Sequence, residues 1–302
     1  MTTFPTPATL DGQNITVDWL MNNPIVVHRT LRSLVEQRLV GDKILSGRVD
    51  ATGSGVVIHG VSESIMATRD PEIITALGEY PLTDDGDEVP ARVEVVKNGL
   101  GTQIPDELIS RNRLDVVQRK MRKLANRIAF NFDSTVLSAV GSAVTQTQEA
   151  AAAWSTGGAD PLLDTLLSGA QVDELNEGYV VDTILARPTQ WARLVAATKI
   201  IERAPREGAS NPVLTGQLVQ FAGLNIIKST NLPSGVNVMV LDSTQLGSIA
   251  YENIGGDFSG RAPEVETHNA RIPGRDGWLM RGRKVAAPMI QEPAAAVKVT
   301  GV

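Results

Sequence analysis

Apolar positions recur along the chain with two different periods, and the switches between them mark its elements. Beyond Val17, the residues Trp19, Leu20, Val27, Leu31, Leu34, Val35 and Leu39 fall at helical spacing. Pro24 starts or kinks that pattern, so the spacing predicts a helix over about 24–40, ended near Gly41. Residues 1–16, rich in Thr, Pro, Gly and Asn, hold too few apolar groups for a core and read as an extended arm. The next stretch, with Ile44, Val49, Gly53, Gly55, Val56, Val57 and Ile58, alternates and is β-branched, which predicts a strand broken at a flexible point. A second strand is predicted over 91–96.

Residues 61–90 lie between these strands and carry Pro71, Gly78, Pro81 and the acidic run Asp84, Asp85, Gly86, Asp87 and Glu88. So long an excursion from a compact domain acts outside it, and it reads as the outer part of a projecting β-loop. The acids lack the alternating ligand positions and closing Glu of a calcium loop, which leaves a solvated or subunit-contacting segment.

Residues 106–140 contain no Gly or Pro and form the strongest element of the chain. Leu114, Val117, Met121, Leu124, Ile128, Phe132, Val136 and Val140 step by three and four and make one apolar stripe. Asp106 and Glu107 suit a helix N-terminus and Gly141 a C-terminal cap. Such a helix is about 50 Å long, a spine for something wider than one globule. Its polar face presents Arg111, Arg113, Arg119, Lys120, Arg122, Lys123 and Arg127 against Asp115 alone. Two readings fit that face: a solvated surface, or a docking site for phosphates or a neighbouring subunit's carboxylates.

Residues 146–158 are low in complexity and read as a loop or domain boundary. An α/β pattern follows. Asp160 and Pro161 start a helix as N-cap and first helical residue, with Leu162, Leu163, Leu166 and Leu167 as its expected buried face, and the helix ends by Gly178. Residues 180–186 read as a buried strand, Pro188 opens a short helix, and 223–228 and 236–241 read as further strands. The stretch 204–216, with Pro205, Gly208, Pro212 and Gly216 in close succession and charged neighbours, is an exposed loop. From Val265 onward the strand-like pieces at 278–280, Val285 and 297–299 return to a β layer.

Composition narrows the chemistry. At 302 residues and 32.3 kDa the chain suits about two domains, and no apolar run is long enough to span a membrane. Zero cysteines exclude disulfides, thiol catalysis and cysteine-held metals; His28, His59 and His268 are scattered, with no metal-binding pair. A net charge of -6 argues against whole-surface nucleic-acid binding, though not against the local basic stripe. The phosphate-binding glycine motifs and the nucleophile elbow are absent. No catalytic, cofactor-binding or metal-binding residues are expected, and no enzymatic activity.

The order of arm, helix, long β-loop, spine helix and α/β domain, together with particular residues, resembles the major capsid protein of tailed bacteriophages. The telling stretches are Glu94-Val95-Val96-Lys97-Asn98-Gly99-Leu100-Gly101-Thr102-Gln103-Ile104-Pro105-Asp106-Glu107-Leu108-Ile109, and Leu224-Asn225-Ile226-Ile227-Lys228-Ser229-Thr230-Asn231-Leu232-Pro233 with 238–242 and 247–252. The resemblance implies an α+β fold: an N-terminal arm over 1–43, an extended β-loop over 44–96, a peripheral domain with the spine helix over 97–159 and 261–302, and an axial domain over 160–260. It implies self-assembly as pentamers and hexamers into an icosahedral shell around double-stranded DNA, bound by nonspecific contact, in the virion after assembly in the host bacterial cytoplasm.

The same resemblance places Arg203, Arg206, Glu207 and Asn211 in a loop near the capsomer axis. Arm and extended loop are expected to find burial on neighbouring subunits. Some family members cross-link through an extended-loop lysine; 44–96 holds none here, so a noncovalent shell is expected. Asp84, Asp85, Asp87 and Glu88 would instead contact a neighbour's basic residues, with Arg119, Lys120, Arg122, Lys123 and Arg127 as the opposing set. The helix at about 24 leaves no room for a long coiled N-terminal scaffold, which implies either a processed form of the chain or, as Met1 favours, a separate scaffolding protein besides a portal and decoration proteins. The nearest rival is an encapsulin, a shell of the same fold around a cargo enzyme; a cytosolic α/β enzyme is a second, and would need a pocket with converging polar groups.

Overall fold

The structure, a computed structural model, describes residues 17–36, 38–61, 69–76, 78–83, 89–196, 220–221 and 223–302. Its N-terminal part holds α1 (Val17–Asn22), α2 (Pro24–Glu36), the single turn α3 (Gly41–Ile44), β1 (Gly47–Asp50) and β2 (Val56–Val61). Strands β3 (Val89–Glu94) and β4 (Lys97–Pro105) lead to α4 (Asp106–Ser110) and the long α5 (Leu114–Ala143). Then come β5 (Thr147–Glu149), α6 (Pro161–Asp173), β6 (Thr183–Ala186), α7 (Pro188–Ala196), β7 (Gln220–Phe221) and β8 (Leu224–Lys228). The chain closes with β9 (Val238–Leu241), β10 (Gly247–Tyr251), β11 (Glu266–Arg271), β12 (Gly277–Ile290) and β13 (Ala296–Thr300).

Strand β12 organises the first sheet. It pairs antiparallel with β4 from Gly277↔Pro105 to Val285↔Lys97 and with β11 along the same stretch. Its last residues pair with β10, which holds β1 in parallel on its other edge. The second sheet runs in the order β5-β13-β9-β6-β8-β7, while β2 and β3 pair with one another as a separate hairpin. Strand β13 lies within 261–302 and β5 within 97–159, both grouped above with the peripheral domain, and both pair in this second sheet.

Helix α5 runs beneath both sheets. The stripe from Val117 to Val140 is buried, as its spacing predicts, and shares one core with Ile104 and Met280 of the first sheet and Leu185, Met239 and Leu241 of the second. Its 30 residues make it about 45 Å long. The helix does not start at Asp106. Asn112 takes a left-handed conformation (φ 47°), which an asparagine tolerates, and separates α4 from α5. The Asn112 Oδ1 accepts from the Val17 backbone N–H at 3.0 Å, so the break holds the start of α1. Gly141 is not a cap but an interior residue of α5: a Cβ there would stand 2.6 Å from Pro233 Cγ, and only hydrogen fits.

Other expectations shift in the same way. The helix predicted to end near Gly41 stops at Glu36, and Gly41 begins α3. Residues 17–44 are not an arm without a core: Val17, Leu20, Met21, Val27, Leu31 and Val35 are buried in the chain's own main cluster, against α5. Strand 91–96 is observed at Val89–Glu94, and 180–186 narrows to Thr183–Ala186. The low-complexity 146–158 contributes β5, and its Trp154 is buried, donating Nε1–H to Asp164 Oδ2 at 2.8 Å.

The largest departure is α6. Its start is as predicted, with the Asp160 side chain accepting from the Leu163 N–H and Pro161 in the first turn. Its faces are reversed. Leu163, Leu166 and Leu167 are 46%, 43% and 45% exposed, while Asp164, Thr165, Ser168 and Val172 point inward. The buried polar groups are satisfied: Asp164 by Trp154 and the Ala151 N–H, the Thr165 and Ser168 hydroxyls by carbonyls of the preceding turn.

Candidate assembly surfaces

The basic face of α5 is exposed, but part of its charge is spent within the chain. Arg113 and Arg119 both donate to Asp115, at 3.2 and 3.0 Å, and Arg113 lies outside the helix that carries the other two. Lys120 reaches the Gln103 carbonyl at 2.5 Å and ties α5 to β4. The Arg127 guanidinium lies 5.5 Å from the centre of the Phe130 ring on its own helix. Arg122 and Lys123 make no ion pair among the described residues and stay in solvent. On α5 the free charge is therefore concentrated in Arg122, Lys123 and Arg127, within two turns of the helix.

The second surface is the hairpin β2–β3 and its continuation. Its residues Ile58, Ile73, Tyr80 and Leu82 are all strongly exposed. A two-stranded ribbon is marginal in water without a face to pack on, and this one pairs only with itself among the described residues. The acidic run Asp84, Asp85, Asp87 and Glu88 in this excursion lies outside the described residues, as do residues 1–16 and the predicted axis loop with Arg203, Arg206, Glu207 and Asn211.

Inside the molecule lies a buried polar cluster that sequence reasoning missed. Asp133, on the inner side of α5, accepts from the backbone N–H groups of Val40 at 3.0 Å and Gly41 at 2.8 Å, at the N-terminus of α3. Lys284 of β12 is 2% exposed; its Nζ donates to the Pro263 carbonyl at 2.7 Å and to Asp42 at 3.4 Å, and sits 4.4 Å from the Phe132 ring centre. Burial pushes the Lys284 amine below its ordinary value, opposed by Asp42, and pushes the Asp133 carboxyl up, opposed by the Gly41 and Val40 N–H groups. One register step away, Arg283 and Glu266 form a buried pair, with Arg283 also donating to the Gly255 carbonyl at 2.7 Å and lying over Phe258. The cluster joins the N-terminal segment, the spine and the first sheet. Lys284 and Asp133 could not be found by pattern, because Asp133 sits one position after Phe132 in a helix whose buried stripe is otherwise apolar.

The histidines take structural places. His28 packs against Gly260, where a Cβ would stand 2.4 Å from its ring, and burial lowers its pKa. His268 accepts from Arg281 through Nδ1 at 2.9 Å, and burial followed by that arginine's charge lowers its pKa. Among the described residues no three carboxylate or imidazole groups gather as a metal site, and no helix is long and apolar enough to cross a membrane.

A family model described as phage capsid protein matches residues 88–299. The chain belongs to the phage capsid protein family. Solved capsid-type structures share its fold. The capsid of cyanophage P-SCSP1u is 16% identical, with a TM-score of 0.60 over 87% of this chain and 88% of that one. A phage-related protein from Bordetella bronchiseptica is 13% identical with a TM-score of 0.58, over 90% and 96%. A virus-like particle from Pyrococcus furiosus is 12% identical with a TM-score of 0.55, over 90% and 97%. No curated protein matches the chain. The α+β architecture is thus that of tailed-phage capsid proteins, and the resemblance drawn from residues 94–109 and 224–252 holds. Residues 94–109 are the end of β3, all of β4 and the start of α4, the strand-to-spine passage that pairs along one side of β12.

Proposed function

We infer that this capsid shell protein assembles as pentamers and hexamers into an icosahedral shell enclosing double-stranded DNA, without covalent cross-links and without enzymatic activity. The observation that carries the reading is the exposed apolar surface of the projecting hairpin: Ile58 on its ribbon and Ile73, Tyr80 and Leu82 on the segment that joins its two strands lie open and need a second chain to cover them. In the domain scheme proposed from the resemblance, that ribbon is the extended loop, and its acids Asp84, Asp85, Asp87 and Glu88 oppose cations of a neighbouring subunit. Of the basic set proposed for that role or for DNA, Arg122, Lys123 and Arg127 are best placed, since Arg119 and Lys120 already have partners. A scaffolding protein, portal and decoration proteins are the further partners, with assembly in the host cytoplasm.

The test is to express the chain alone and with the scaffold gene of its genomic neighbourhood, and to view the products by negative-stain electron microscopy. Closed shells or capsomer rings are expected, running as single chains on a denaturing gel. Uniform monomers or dimers in both preparations would overturn the reading. Replacing the four acids by Asn and Ser should weaken shells most at low salt.

A further inference from the structure

Helix α6 carries an apolar stripe on the wrong side for its own core. Leu163, Leu166, Leu167 and Ala170 follow i, i+3, i+4, i+7 spacing and all face solvent, continued past the helix end by the exposed Leu175 and Val180. The orientation is fixed, not marginal. Rolling the helix to bury its leucines would expose Val172 and break the Trp154–Asp164 bond, the Ala151–Asp164 bond and the seat of α6 on β13. Asp173 and Glu174 at the C-terminal end make no ion pair among the described residues, although a helix C-terminus disfavours negative charge. A sequence that buries Asp, Thr and Ser and exposes leucines and carboxylates in one place presents an apolar strip with an acidic end to something outside the chain.

We propose that this strip is the lateral contact between adjacent copies within a capsomer, each copy's α6 leucines packing on the next copy, whose cations face Asp173 and Glu174. The proposal rests on the shell-forming reading above. Size argues for a second copy in a ring rather than a free dimer. The strip offers on the order of 200 Å² of apolar surface, well short of the roughly 800 Å² a side that holds two chains together alone. A contact that weak becomes stable when it is repeated head to tail and closes. It leaves the unassembled chain monomeric.

The absence of cysteine makes the test clean, because Leu166→Cys introduces the one thiol of the chain. Its labelling by a maleimide is timed in unassembled chain and in purified shells. Labelling at least tenfold slower in shells of this chain alone is the expected result. In parallel, the triple variant Leu163→Ser, Leu166→Ser, Leu167→Ser should unfold at the wild-type temperature when unassembled yet give at least tenfold fewer shells, while Leu166→Met assembles normally. Equal labelling rates in chain and shell would overturn the proposal. Slow labelling in both would overturn it in favour of cover by residues 197–219 of the same chain, and protection that requires a bound scaffold or decoration protein would assign the strip to that protein. If wild-type chain forms no shell at all, the shell-forming reading fails first and takes this one with it.

Discussion

Asp133→Ala removes the carboxylate that faces the N-terminus of α3, and its effect can be worked from the contacts. Two backbone N–H groups, of Val40 and Gly41, lose a charged acceptor. Hydrogen bonds of that kind contribute about 1.5–3 kcal/mol each, so the gross loss is about 3–6 kcal/mol. Part is offset, because the wild-type carboxylate is itself buried at a cost that its raised pKa records. The variant also deprives Lys284 of a favourable charge in the interior. We expect a net loss of about 3 kcal/mol, near the lower end seen when a buried charged partner is removed. Asp133→Asn keeps one acceptor and should cost about 1 kcal/mol. The assay is thermal unfolding of the unassembled chain, with Asp133→Ala melting about 6 °C lower. Hydrogen exchange should show the Val40 and Gly41 amides losing protection. The folded carboxyl keeps its proton to higher pH than the unfolded one, so wild-type stability falls as pH rises from the unfolded value near 4 through the folded value; Asp133→Ala flattens that slope. A variant within about 0.5 kcal/mol of wild type, with both amides still protected, would refute the capping argument.

Gly247→Ala would place a Cβ 2.3 Å from the Met289 carbonyl oxygen and 3.0 Å from Ile290 Cα, both backbone atoms of the paired strand. Separating β10 from β12 should cost about 2–3 kcal/mol, read as a lowered melting temperature and faster exchange across 247–251. Lys284→Met removes a buried cation whose amine titrates below the unfolded value of 10.5. In wild type the unfolded state binds more protons between those two values, so stability rises with pH across that window. The variant should lose that rise and should also cost about 3 kcal/mol at pH 7, because removing one member of the cluster leaves Asp42, the buried Asp133 and the Pro263 carbonyl without their cation. Urea titrations between pH 7 and pH 10.5 check both statements.

The spine was legible from spacing alone, since a stripe stepping by three and four over so many turns has one helical solution, and its residues bury as predicted. The N-cap at Asp160, the flexible point between β1 and β2, and the return to strands after Val265 were legible for the same local reason: each depends on neighbours in sequence. What spacing could not decide was direction. In α6 the leucine stripe marks an amphipathic helix correctly, yet periodicity is blind to which side the rest of the molecule lies on. The bond from Trp154 to Asp164 and the seat on β13 turn the stripe outward. Strand β4 was recognised as a family-like stretch but not as a strand, because Gly99 and Gly101 weaken every β signal; pairing with β12 over its full length makes it one. The polar cluster of Asp42, Asp133 and Lys284 lay furthest from sequence reading. Its members meet across up to 242 positions of chain, and a charge in the interior is explained only by the partner that tertiary structure brings to it. Sequence therefore determined the elements and the family, through local periodicity and local resemblance. Only the packed chain decided which faces are spent inside and which are left for a neighbour, because burial is a property of pairs of elements and not of any one of them.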